Sequence, residues 1–147
     1  MSLNLEIKVV ETEQELKFAY SLRKTVFVKE QNVPEEIEYD EYDHSALHVI
    51  CYLDDAVVGT GRVVFFDDGA KIGRVAVLKE YRKQGIGTII TKKLIDISRN
   101  NDVENVYANV QLIARGFYAK LGFKEVGDIF YEADIKHIKM VLGMLEK

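Results

Sequence analysis

Gly85 and Gly87 follow Arg82-Lys83-Gln84 and lead into apolar residues at helical spacing. Ile86, Ile89, Ile90, Leu94 and Ile97 share one face there, which predicts a helix over residues 85–98. The first amides of a helix lack partners and sit at the positive end of its dipole, so they suit a phosphate. Glycine lets the backbone turn and approach an anion closely, and Arg82 and Lys83 add positive charge. The spacing excludes two nucleotide motifs. A dinucleotide fingerprint needs a third glycine where Ile90 stands, and a P-loop needs Gly-Lys-Ser/Thr. A glycine-assisted tight turn is the plain structural alternative.

A second concentration of chemistry is acidic. Residues 35–43 hold six carboxylates, Glu38, Asp40, Glu41 and Asp43 among them, just after the single proline, Pro34. So many like charges resist common burial, so an exposed loop or short irregular helix is expected. Residues 1–70 carry 6 basic and 15 acidic side chains, whereas residues 71–147 carry 14 and 9. One region thus attracts cations and the other anions. The net charge of −4 argues against nucleic acid as the main partner. His44 and His48 stand four apart, but His48 reads as a strand residue and no His-Glu-x-x-His helix is present, so no metal site is expected.

The elements that must position these groups fit one domain of 147 residues. With 48% apolar and 30% charged residues the composition is globular, which excludes disordered and collagen-like chains. The single cysteine, Cys51, alternates into a strand and reads as a small core residue in a reducing, cytoplasmic setting. No apolar run approaches the ~18 residues of a membrane span, and the N-terminus lacks a signal-peptide pattern. Leu5, Ile7 and Val9 alternate as in a strand, and Thr12 with Glu15 forms a capping box for a helix to about Val28. Strands are expected over 47–53, 57–66 and 70–77, the last two joined by Asp67-Asp68-Gly69. After the helix at 85–98 come a strand at 106–110, a short helix at 113–121, and strands at 123–126 and 136–142 around a turn at 127–134. This order predicts an α+β fold, an α/β sandwich with a mixed, mostly antiparallel sheet.

Two blocks resemble the GCN5-related N-acetyltransferase (GNAT) family. Arg82-Lys-Gln-Gly85-Ile-Gly87, after the strand segment Arg74-Val-Ala-Val77, is similar to the family's acetyl-CoA loop, Arg/Gln-x-x-Gly-x-Gly/Ala. Phe117-Tyr-Ala-Lys-Leu-Gly-Phe123 resembles its helix-to-strand segment. Arg23-x-x-Val-Phe-Val-x-Glu-Gln31, the acid-rich stretch, His48, Gln111, Glu132 and His137-x-x-Met140 further resemble small bacterial members of the ElaA/YjcF type. Gln111 departs from the wider family, where asparagine is common.

The resemblance implies transfer of an acetyl group from acetyl-CoA to a primary amine, on a sheet with one splayed strand pair. Lys83, Gln84, Gly85, Ile86, Gly87 and Thr88 would supply amides to the pyrophosphate, with Arg82 beside them. Val75, Ala76 and Val77 would pair with the pantetheine arm, with Gln111 across the gap. Val75 or Ala76 would also donate to the oxyanion. Tyr118, a core aromatic on residue chemistry alone, would become the acid that protonates the departing thiolate. The incoming amine must lose a proton, and Glu30, Glu41, Asp43, His48, Glu132 and His137 are the candidate bases; attack through water alone needs none of them. Glu38, Asp40, Glu41 and Asp43 would draw a cationic amine to the cleft. An idle acyl-CoA sensor on the same fold and an enzyme for a longer acyl chain are the alternatives. A homodimer is compatible with the chain, with no pattern that requires it.

Overall fold

The computed structural model describes residues 4–143. The capping box forms as the sequence predicts. Thr12 Oγ1 accepts the Glu15 amide at 3.1 Å, and the Glu15 carboxylate accepts the Thr12 amide at 3.2 Å. It opens α1 (Glu13–Arg23), which continues as a widened π-helical segment, Lys24–Glu30, where a plain helix was expected. Such turns gather at functional sites, and Val26 and Phe27 of this one face the cleft described below.

Strands β1 (Leu5–Val9), β2 (Leu47–Leu53), β3 (Ala56–Phe66) and β4 (Gly69–Val77) pair antiparallel in succession. β5 (Asn105–Gln111) lies parallel to β4, and β6 (Lys124–Glu132) and β7 (Ile135–Gly143) complete a seven-stranded sheet in the order β1-β2-β3-β4-β5-β7-β6. This is the mixed, mostly antiparallel α+β architecture expected. The last hairpin differs in detail. Its turn is only Ala133-Asp134, both with positive φ, as a two-residue hairpin turn requires. Gly127, read as the start of a long turn, instead sits where the β6–β7 register shifts between Val126 and Phe130.

Alternation along β3 separates the two faces of the sheet. A Cβ on Gly61 would lie 2.8 Å from Ile90 and 2.9 Å from Leu94, so glycine there lets α3 (Ile86–Arg99) press onto the strand. Ile86, Ile90, Leu94 and Ile95 of α3 join Val49, Val63, Ile72 and Val106 in the main core, as does Cys51. Thr60 and Arg62 point to the other face, toward α1 and the short α2 (Glu35–Glu38).

There the acid-rich segment is folded in, contrary to the exposed loop expected. Arg23 is 1% exposed; its Nε donates to Glu38 at 2.8 Å and its Nη1 to Asp43 at 2.8 Å. The rings of Tyr20 and Tyr39 flank its guanidinium at 5.2 and 5.3 Å. Arg62 donates to Asp40 at 2.7 and 2.8 Å and to Asp43 at 2.7 Å. Arg74 reaches the Glu38 carbonyl at 3.0 Å and the Asp40 carboxylate at 3.3 Å. Three guanidiniums thus neutralise three carboxylates, which resolves the repulsion that burial of the acids alone would create.

Removing one member leaves its partners buried with too few counter-charges. Arg23→Ala should therefore cost ~3–5 kcal/mol and lower the thermal midpoint by on the order of 10 °C, read by circular dichroism. The acids also differ in sign. Burial pushes Asp43 up, but hydrogen bonds and charge from Arg23, then the charge of Arg62, outweigh it and hold the carboxyl at about 2. A folded value below the ordinary 3.8 means that its stabilisation is present above about pH 4 and lost as pH falls toward 2. Burial pushes Glu38 up against the pull of Arg74 and Arg23, so proton uptake by Glu38 does not oppose folding. Denaturant unfolding across this range should show a flattened acid limb in Asp43→Asn and a retained one in Glu38→Gln.

Candidate active site

Beyond Val77 the chain makes a helical turn, Lys79–Tyr81, and then passes through two left-handed residues, Lys83 (φ 67°) and Gly85 (φ 84°). Turns of this kind gather successive amides into a concavity that suits an anion. Gly85 caps α3 with no side-chain hydrogen bond, and among the described residues no side chain bonds the amides of that first turn. A Cβ on Gly87 would meet Phe117 at an ordinary 3.6 Å, so the protein's own packing does not demand glycine there. Arg82 is otherwise engaged. Its Nε donates to the Val77 carbonyl at 2.8 Å, and its two Nη atoms clasp Glu30 at 2.6 and 2.7 Å. The Arg82 hydrogen bonds hold Glu30 below the usual carboxylate range, which makes it a weak base.

β4 and β5 pair only at Ala70↔Val106 and Lys71↔Tyr107, then diverge. The gap widens toward Val77 and Gln111. On its other side β4 is bulged: Thr60 pairs with Ala76 and Arg62 with Gly73, so Arg74 and Val75 both fall opposite Gly61. Arg74 takes φ 51°, an unfavourable conformation for a residue with a Cβ. Its side-chain bonds to residues 38 and 40 hold it there. The bulge interrupts the ladder beside the gap.

A cleft of about 1060 Å³ runs along this gap, from Arg82 and Lys83 past Val75, Ala76 and Val77 to Lys71. Tyr118, from α4 (Arg115–Lys120), lines it, set edge-on against Phe117 at 5.2 Å and Phe123 at 5.3 Å. Burial pushes its phenol up to about 12, so it stays protonated at neutral pH. His137, on β7 opposite Gln111, faces the same cleft and stacks on Phe130. Its Nδ1 lies 2.7 Å from the Ile135 carbonyl. A carbonyl only accepts, so Nδ1 carries the proton and Nε2 presents a lone pair. Gln111 donates to Gln31 at 2.9 Å, joining β5 to the end of the π-helical segment across the mouth of the gap. Glu132, exposed near the β6–β7 turn, also lines the cleft.

The structure separates other residues that the sequence grouped. His48 is buried away from the cleft, with Nε2 against the Asp43 carbonyl at 3.0 Å. That nitrogen is a donor, and burial lowers the imidazole's proton affinity. Asp43 is likewise enclosed by arginines, and Glu41 is exposed outside the cleft lining. Glu38 and Asp40 line the cleft only as members of the ion network, so none of Glu38, Asp40 and Asp43 offers a free negative charge to an amine. The sequence reading missed Arg62 and Arg74 as counter-ions. The signal available was an arginine inside each of two largely apolar strands, which flags a buried partner. It also missed Gln31, Lys71 and Asn109 as cleft residues. Among the described residues no group of three or more His, Cys, Asp or Glu side chains is placed to hold a metal, and no helix is long and apolar enough to cross a membrane.

The chain is similar in sequence and fold to known proteins. The uncharacterized N-acetyltransferase YjcF of Bacillus subtilis is 37% identical over 134 residues, covering 90% of this chain and 96% of YjcF. The crystal structure of Escherichia coli ElaA superposes with a TM-score of 0.83 at 27% identity, over 92% of this chain and 98% of ElaA. A GNAT-family acetyltransferase of Elizabethkingia anophelis with acetyl-CoA bound shares the fold, with a TM-score of 0.73 at 17% identity over 96% and 99% of the two chains. A model of the acetyltransferase (GNAT) domain matches residues 9–144. With that match spanning nearly its whole length, the chain belongs to the GNAT acetyltransferase family.

Proposed function

We propose that this chain is an acetyl-CoA-dependent N-acetyltransferase that acetylates a primary amine of a small molecule or peptide by direct attack. One observation carries the reading: a single cleft joins Arg82 and Lys83, in the loop that leads into α3, to the gap between β4 and β5, the Tyr118 phenol and the His137 imidazole. The amides around Lys83–Thr88 would hold the diphosphate, with Lys83 as counter-charge. Val75–Val77 would bond the peptide-like pantetheine arm where β4 has left β5. The bulged Val75 or Ala76 amide would polarise the thioester carbonyl.

His137 Nε2 takes a proton from the ammonium, directly or through one water, and is the base that this geometry favours over Glu30 and His48. The amine nitrogen then bonds to the carbonyl carbon as the carbon–sulfur bond breaks, and the nitrogen loses its second proton to water. Tyr118 gives its proton to the departing thiolate and recovers one from solvent. Arg82 works by clamping Glu30 and Val77, which fixes the loop, rather than by reaching the phosphate itself. A fold relative with acetyl-CoA bound supports the cofactor, and the family supports acyl transfer.

Three variants test the parts separately. Gly87→Val should leave the thermal midpoint nearly unchanged and weaken CoA binding about tenfold or more by calorimetry; intact affinity would contradict the loop assignment. Tyr118→Phe should lower kcat on the order of 10²-fold with little change in the KM for acetyl-CoA. His137→Gln should lower kcat/KM for the amine by a similar order, measured by thiol release. Equal effects of Tyr118→Phe on kcat and cofactor KM would remove the phenol from its role as the acid.

A further inference from the structure

The floor of the cleft beyond the bulge points to the class of amine that it takes. Strand registers place Val64 and Phe66 of β3, Lys71 of β4, Tyr107 and Asn109 of β5 and Lys139 of β7 on one face. Lys71 lines the cleft and also the shallow basin that extends it, together with Tyr42, Phe66 and Tyr107. Tyr42 and Phe66 meet edge to face at 5.3 Å. Lys139 Nζ stands 4.7 Å from the centre of the Tyr107 ring, and the Tyr107 hydroxyl donates to Asp68 at 3.3 Å.

The charges on this floor are unequal. Arg62 and Arg74 are spent on Asp40, Asp43 and Glu38, whereas neither Lys71 nor Lys139 has an ion-pair partner among the described residues. Asp67 and Asp68 of the β3–β4 turn line the shallow basin but not the cleft, and Asp68 is turned to Tyr107. With Lys139 standing over Tyr107 outside the cleft lining, the far end of the cleft offers the Lys71 ammonium beside an aromatic wall. That is a site for a carboxylate attached to an apolar body. It is the reverse of the acidic trap that residues 35–43 suggest in the sequence.

Resting on the acetyl-transfer reading above, we propose that the acceptor is an amino-carboxylate of about dipeptide length. Its amine lies at His137 and the β4 bulge, its carboxylate lies at Lys71, and its C-terminal side chain reaches past Lys71 to Phe66 and Tyr42. The length follows from the strand. Four residues separate Lys71 from Val75, about 13 Å at ~3.3 Å per residue, and the lysine side chain spans part of that distance. An α-amino acid alone is too short to touch both ends.

The test uses glycyl-phenylalanine and its C-terminal amide, which differ by one charge. With the wild-type protein, thiol release should favour the free acid about tenfold in kcat/KM, and salt should shrink the preference. Lys71→Gln, which touches neither the loop nor Tyr118, should erase the preference while leaving CoA binding intact. Lys71→Glu should reverse it in favour of the amide. Equal rates for acid and amide in the wild type, or a preference that survives Lys71→Gln, would overturn the proposal while leaving acetyl transfer standing. Calorimetric binding of the two dipeptides to the CoA-loaded protein is read in parallel. Tighter binding of the acid without thiol release from either would sink the transfer reading and support the acid-binding end of the cleft. Equal binding would overturn the acid site itself.

Discussion

The compensation of Glu38, Asp40 and Asp43 by Arg23, Arg62 and Arg74 governs what the rest of the molecule can do. Each acid is a poor candidate for burial by itself, and each arginine would be costly in the same place. Together they anchor the segment between the first helix and β2 onto the face of β3 and β4. The same contacts hold Arg74 in a left-handed conformation, and with it the bulge that interrupts the ladder beside the gap. Stability on one side and backbone geometry in the cleft therefore share one set of hydrogen bonds. A charge-neutral network also decides the character of the cleft, because the arginines cancel the acids and leave lysines as the free charges on the floor.

Divergence of β4 from β5 supplies the second constraint. Two adjacent parallel strands normally exchange hydrogen bonds along their length, but here contact ends after Lys71↔Tyr107. Backbone groups beyond that point need other partners, and a peptide-like arm can provide them. The π-helical segment crosses the opening and ties itself to both banks, through Glu30 to Arg82 and through Gln31 to Gln111. Sequence neighbours thus bridge a gap whose two sides come from residues 82 and 111.

Much of this was legible in the chain, for identifiable reasons. The stripe of Ile86, Ile90 and Leu94, the Thr12–Glu15 box and the alternating strands are local patterns, and local physics determines them. The loop at Gly85 was legible because positive φ and open space both leave a glycine mark. The ion network was not, because its members lie up to 51 residues apart and each reads as surface when its partners are unseen. His48 and His137 looked alike as strand histidines. Only their neighbours, the Asp43 carbonyl at Nε2 of one and the Ile135 carbonyl at Nδ1 of the other, separate a structural donor from an available acceptor.

The central claim is spatial, and a crystal structure of the protein with CoA and a dipeptide tests it most directly. The account predicts the diphosphate on the amides that follow Arg82, the sulfur within hydrogen-bond reach of the Tyr118 hydroxyl, and the dipeptide amine beside His137. A diphosphate bound elsewhere, or a sulfur on the far side of β4 from that phenol, would contradict it.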